Sequence, residues 1–209
     1  MEPSTKHQIL DAAERLFAEF GVDATSLRAV TSTAGVHLAA VNYHFGSKDG
    51  LVRAVFARRL EPLNAERLAA LEALLGQTDT PELDDLLRAL FEPALRMADQ
   101  PGGTDFLRLL GRMHTDPEAF GTLGSLLELF GEVRARFVPQ LARCLPELAH
   151  DELCWRLHFT MGAMANAMTS RAVLRWMSDG SAGDESATDV ANHLIRFVGA
   201  GLRAPARLA

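Results

Sequence analysis

The sequence predicts an all-α fold, and three observations carry that expectation. Apolar residues recur at spacings of three and four along most of the 209 residues, the period of a helix with one buried stripe. Prolines and glycines cut this pattern into pieces of helical length. Residues 22–51, VDATSLRAVTSTAGVHLAAVNYHFGSKDGL, spell two short helices about a glycine turn, the layout of a helix-turn-helix. The chain divides accordingly into a three-helix head, 1–50, and a helical body, 51–209, suited to effector binding and dimerisation.

The first helix is expected over 5–20, where Ile9, Ala13, Leu16, Phe17 and Phe20 form one stripe and Gly21 offers the positive φ of a C-terminal cap. The second opens with Thr25 or Ser26 as its N-cap and turns Leu27, Val30 and Ala34 inward. Gly35 permits the tight turn, and Val36 plugs the angle between the two helices. The third covers 38–45, with Val41 and Phe45 inward. In this geometry the later helix of the pair enters the major groove. His37, Leu38, Ala39, Asn42 and Tyr43 then face the bases. Asn42 offers adenine a paired donor and acceptor, while Leu38 and Ala39 suit a thymine methyl. Thr25, Ser26, Arg28, Tyr43, His44 and Lys48 stand at the edges, placed for phosphates, with Lys48 at the start of the next helix.

The body continues with a helix over 49–75, carrying Leu51, Val55, Leu63, Leu68, Leu71 and Leu75. Pro62 lies inside it and must either bend or break it. A helix over 82–99 follows, disturbed at Pro93 and stopped by Gln100-Pro101-Gly102-Gly103. After a short helix over 104–115, another is expected from Pro117 to Cys144. Gly121, Gly124 and Gly131 in this region each cost about 1 kcal/mol against alanine, so they serve either close helix contact or room for a ligand. The last two helices span 151–177 and 187–202. Small and smooth side chains at 161–168, and an apolar stripe of Val190, Leu194, Phe197 and Val198, suit a four-helix bundle built by two copies.

Thr25, Leu27, Val30, Ala34-Gly35-Val36, Tyr43-His44-Phe45, Ser47-Lys48 and Leu51 stand in the register of a known pattern. On these residues the head resembles the N-terminal domain of TetR/AcrR-type transcriptional regulators. The resemblance implies double-stranded operator DNA as a partner and a homodimer formed through the last two helices. Two departures stand out. His37 replaces the usual Ser or Thr cap of the recognition helix, so that helix either lacks a side-chain cap or offers DNA a histidine, charged when protonated. Asn42 replaces an apolar residue before the tyrosine, which implies an operator unlike those of better-known members.

The formal charge is −6 and the pI about 5.6, at odds with a protein built only to grip DNA. Residues 1–60 carry seven Lys/Arg and six Asp/Glu; the remainder carries fourteen and twenty-one. The acid therefore sits in the body, and a nearly neutral head implies few phosphate contacts per copy. Two heads on one operator restore affinity through effective concentration.

No apolar run reaches the ~18 residues of a membrane span, and the start MEPSTKHQIL lacks a signal peptide's hydrophobic segment, so a cytoplasmic protein is expected. Cys144 and Cys154 are too few for a disulfide framework; they are ordinary thiols or a redox pair. Catalysis finds no support. Glu147-x-x-His150 occurs once, in an expected loop, where a di-iron bundle needs paired copies. Pro117 spoils the cluster of His114, Asp116 and Glu118 as a metal-binding face. HExxH, CxxC, GxGxxG and G-x-S-x-G are all absent, and no cofactor or metal is expected.

A hydrophobic small-molecule effector is the remaining expectation. Phe91, Phe106, Leu109, Leu110, Met113, Phe120, Leu127, Phe130, Trp155 and Phe159 are its candidate contacts, residues that also suit an ordinary core. Arg108, Arg112, His114, His158 and Asn166 are available for a polar end. FLRLLGRM (106–113) and WRLHFTMGA (155–163) resemble a TetR subgroup that responds to fatty acids or acyl thioesters. The sequence thus describes a ligand-responsive repressor, with an activator as the variant and an all-helical small-molecule carrier as the rival.

Overall fold

The computed structural model describes residues 4–115 and 123–206, with side chains at 4–111 and 124–206. Among these residues the regular structure is eleven α-helices and one 3-10 turn. The head holds α1 (Thr5–Phe20), α2 (Leu27–Ala34) and α3 (Leu38–Phe45), with the bounds expected from the sequence. Ser4 caps α1, a role the sequence reading did not assign, and Gly21 closes that helix at φ 89°. Ser26 rather than Thr25 caps α2, its hydroxyl accepting from Ala29 N–H at 3.1 Å. Gly35 ends α2 in the left-handed region, φ 68°, which a side chain would strain.

The helix α4 (Lys48–Leu75) runs unbroken through Pro62. The ring forfeits the bond to the carbonyl of Arg58, but buried Leu60 and Leu63 anchor the helix on either side. Next come α5 (Leu83–Arg96), with Pro93 inside it, a 3-10 turn at Met97–Asp99, and α6 (Gly103–Thr115). Where one helix was expected over 117–144 there are α7 (Leu123–Glu128) and α8 (Gly131–Cys144); Pro117 and Gly121 lie outside the described residues. A Cβ added at Gly124 or Gly131 would meet open space, so neither serves a close contact among the described residues.

The helix expected over 151–177 is also two, α9 (His150–Thr169) and α10 (Arg171–Met177), before α11 (Ala187–Arg203). Thr169 donates its hydroxyl back to Ala165 O at 2.8 Å, a bond that loosens a helix end. Ser170 then leaves helical geometry, φ −111° and ψ 28°. Beyond the break, Arg171 donates to Glu185 O, and Arg175 to Gly183 O and Asp184. These bonds pin α10 to the 178–186 loop.

Two compact units result: Met1–Pro62 with Pro101–Phe130, and Leu63–Gln100 with Gly131–Ala209. The first therefore reaches beyond the expected 1–50 head. Leu51, Val55, Phe56 and Leu60 are wholly buried in it, and the rings of Phe56 and Phe106 meet edge to face at 5.6 Å. Buried Glu14 on α1 accepts from Arg58 at 2.6 Å and from Arg59 at 2.7 Å. Arg59 also donates to Pro101 O at 3.0 Å. Burial lowers the Arg58 pKa, yet its hydrogen bonds to Glu14 and Asp11 outweigh that and raise it.

In the second unit α5 packs on α8 and α11, and α9 packs on α11. Leu86, Leu87, Phe91, Phe137, Leu141, Ala191 and Ile195 fill the core between them. Arg67, only 2% exposed, is embedded in this unit. It donates to Leu90 O at 2.8 Å and to Asn64 Oδ1 at 3.1 Å. Burial holds its pKa down to about 10.

Candidate nucleic-acid interface

The head places α3 on α1 and α2 by way of Val41, which is wholly buried. That single inward residue fixes which face remains outside. One turn on, Phe45 is half-buried, while His37, Leu38, Ala39, Asn42, Tyr43 and His44 are all exposed. Tyr43 is 85% exposed and its ring stands edge-on to His44 at 5.0 Å. An eight-residue rod with one apolar edge inward and a continuous outward face has the dimensions to enter a major groove. His37 occupies the N-cap position of α3 without a side-chain hydrogen bond, in keeping with its departure from the family pattern.

The chemistry of this face is distinctive within an acidic chain. From Ala24 to Lys48 there is no Asp or Glu, while Arg28, Lys48, His37 and His44 all fall inside the stretch. Nothing in it repels a phosphate. Ser26 and Arg28 are exposed at the start of α2, beside that helix's free N–H groups.

Thr25 is placed differently from the sequence expectation, whereas Lys48 opens α4 as expected but is partly engaged. Thr25 is not an edge residue available to phosphate: it is buried, and its hydroxyl donates to Gly21 O at 2.7 Å and Leu16 O at 3.3 Å. It ties the loop before α2 to the end of α1, because a buried hydroxyl must find an acceptor. Lys48 is half-buried and donates to Asp23 O at 3.2 Å, leaving two of its three N–H donors for other partners.

Sequence reasoning passed over two positions that hold the site in place. Ser47 accepts from Gly50 N–H at 3.0 Å and so caps α4; a serine directly before a charged helix start was the available signal. Gly50 lies so close to the end of α3 that an added Cβ would stand 2.0 Å from Phe45 O. Only glycine allows α4 to start against the last turn of the recognition helix.

The candidate effector contacts are divided between the two units. Phe106, Leu109 and Leu110 are buried in the first unit and Phe91 in the second. Phe130 is half-buried and Leu127 exposed. Phe120 and the side chain of Met113 lie outside the described residues. Trp155, His158 and Phe159 are exposed on α9, and Trp155 and Phe159 are 60% and 65% exposed. The reason is rotational. The buried stripe of α9 is Leu153, Thr160 and Met164, and at about 100° per residue Trp155 and Phe159 fall on the opposite side. Asn166 lines a groove among α9, α10 and α11 in the second unit.

Residues 9–55 match the model for bacterial regulatory proteins of the tetR family, and residues 88–201 match the tetracyclin repressor-like C-terminal domain. The HTH-type transcriptional repressor Rv1474c of Mycobacterium tuberculosis is 33% identical over 107 residues, which is 49% of this chain and 54% of that protein. The chain thus spans about half the length of that relative. The fatty acid degradation regulator FadR of Bacillus halodurans superposes with a TM-score of 0.67 at 14% identity, covering 97% of this chain and 98% of that one. FadR of Bacillus subtilis, solved in complex with stearoyl-CoA, gives 0.66 at 14% identity, covering 93% and 98%. Identities this low establish a shared fold and no more. With both its N-terminal and C-terminal parts matched, the chain belongs to the TetR family of bacterial regulatory proteins.

Proposed function

We propose that this chain is a homodimeric transcriptional repressor that leaves its operator when a hydrophobic small molecule binds. The observation that carries the DNA-binding part is the stretch Ala24–Lys48: free of carboxylates in a chain of net charge −6, it presents Leu38, Ala39, Asn42 and Tyr43 outward on α3. Dimerisation through α9 and α11 has its support in exposed Trp155 and Phe159 on one helix and exposed Phe197 on the other. Two recognition helices about 34–36 Å apart would then meet successive turns of one duplex. Such a protein works in the cytoplasm, where its operator is.

Release requires a guest with different affinities for the two forms of the dimer. Phe106, Leu109, Leu110 and Phe130, all in the first unit, remain candidates for its apolar contacts. Trp155, His158 and Phe159 leave that set because they face outward. A long-chain acyl compound is the first guest to try, on the resemblance of 106–113 and 155–163 to acyl-responsive regulators. Native mass spectrometry of protein purified from its host identifies what it carries.

The decisive experiment is a mobility shift against the DNA upstream of the protein's own coding region. The full-length protein shifts it with two chains per site. Asn42→Ala weakens binding by about 1–3 kcal/mol and relaxes the preference at one adenine. If no duplex is shifted at low ionic strength, the carrier reading takes over.

A further inference from the structure

We infer that each copy docks its stacked Trp155–Phe159 pair into the groove that α9, α10 and α11 form on a second copy, in a reciprocal exchange that sets the register of the dimer. The inference rests on the dimer reading above and adds the contact that specifies it.

The projecting part is already built. Trp155 and Phe159 lie one helical turn apart on α9, with ring centroids 5.8 Å apart and planes 28° from parallel. Stacked in this way they lose little freedom on docking. The receiving part is a groove of about 640 Å³, lined among others by Ala163, Ala167, Leu174, Met177, His193 and Phe197. Its floor is the small-residue face of α9 against α11, and its outer wall is α10. The break at Ser170 creates that wall, and the arginine bonds to the 178–186 loop hold it.

Surface area identifies the occupant. Trp176 is 80% exposed, Phe197 73%, Met177 70%, and Val173 and Leu174 are exposed beside them. Together with Trp155 and Phe159 they present roughly 900 Å² of apolar surface, at ~150–250 Å² per large side chain. A monomer's largest apolar patch is typically ~300–600 Å², whereas a stable dimer buries ~800 Å² per partner. A patch of this size holding both projection and groove is self-complementary, and two such patches meet about a two-fold axis.

Spacing along α9 fits. The aromatic pair centres near residue 157 and the groove near 166, about 14 Å on at 1.5 Å per residue. An axis midway crosses α9 near Gly162, which is exposed and around which an added Cβ would meet nothing within 4 Å. The two copies of α9 can therefore cross closely at that point.

Two full-length variants test this by analytical ultracentrifugation. Trp155→Ala with Phe159→Ala removes the projection; Ala167→Trp fills the groove and leaves the projection intact. Each raises the dimer Kd by about 100-fold or more, while Phe20→Ala, an exposed aromatic on α1, leaves it within about threefold. Mixing the two variants is the sharper measurement. A mixed dimer contains one intact projection in one intact groove, so it forms more tightly than either variant does with itself. A wild-type dimer unmoved by both variants, or no gain on mixing, overturns the docking and leaves dimerisation standing. A wild-type dimer whose groove still takes up a hydrophobic dye overturns it too, and assigns the groove to a small ligand. A monomeric wild type overturns the dimer reading beneath it.

Discussion

Arg67 and Thr25 each set a polar group among apolar neighbours, and the consequences differ. Thr25 is neutral and donates to two carbonyls, so Thr25→Val removes about 1 kcal/mol of stability. Because the hydroxyl points away from the recognition face, operator affinity measured below the melting range stays unchanged. Arg67 is charged, and its partners Leu90 O and Asn64 are neutral. No carboxylate lies within salt-bridge distance of it among the described residues. Its pKa, lowered to about 10, means that folding disfavours the charged form. The penalty is present at neutral pH and fades only as pH rises above about 10. An apolar side chain of similar length escapes that penalty: Arg67→Met should stay within about 1 kcal/mol of the parent in chemical denaturation. Arg67→Ala, which also opens a void, should lose about 3 kcal/mol.

At the scale of elements, the junction of α3 with α4 governs how the site is presented. Gly50→Ala forces a Cβ into Phe45 O, and a backbone atom cannot swing aside as a side-chain tip can. The last turn of α3 must shift; operator affinity should fall about tenfold or more, and the melting temperature by several degrees. A variant with parental affinity would show that the junction yields without moving the reading face. The head was legible in the sequence because local signals agreed there: Ser26 before an apolar stripe, Gly35 at a turn needing positive φ, Val41 as the inward residue. The breaks at Ser170 and at 129–130 were not. Apolar periodicity persists across both, and only tertiary bonds, such as those of Arg171 and Arg175 to the 183–185 backbone and Asp184, reward a change of direction. The exposure of Trp155 and Phe159 was hidden for a related reason: hydrophobicity alone does not distinguish a buried residue from an exposed one, whereas their rotation from Leu153 does. At Pro62 the helix does not break, because buried Leu60 and Leu63 hold it on either side.

For the whole molecule, charge segregation decides how grip depends on ionic strength. Each head offers Arg28 and Lys48 within its carboxylate-free stretch, hence about four phosphate-neutralising cations in the proposed dimer. The affinity should then fall about 10²-fold between 50 and 200 mM salt, well short of the ~10³–10⁵-fold loss of proteins making six to ten such contacts. A much steeper slope in a salt titration would mean that basic residues outside this stretch reach the duplex. On the proposed reading, the acidic remainder would discourage the body from lying along the backbone, and selectivity would fall mainly to the outward side chains of α3.

The missing side-chain cap at His37 reaches beyond stability. The amide hydrogens of Leu38 and Ala39 have no hydroxyl or carboxylate to hold them, unlike that of Ala40, which donates to His37 O, so in free protein they should trade with deuterated solvent within the dead time of an ordinary labelling experiment. Once a duplex is seated, its oxygens supply what the chain omits and those same amides slow. Occupancy could thereby be followed as a footprint on the polypeptide, even for a target whose base sequence is still unknown.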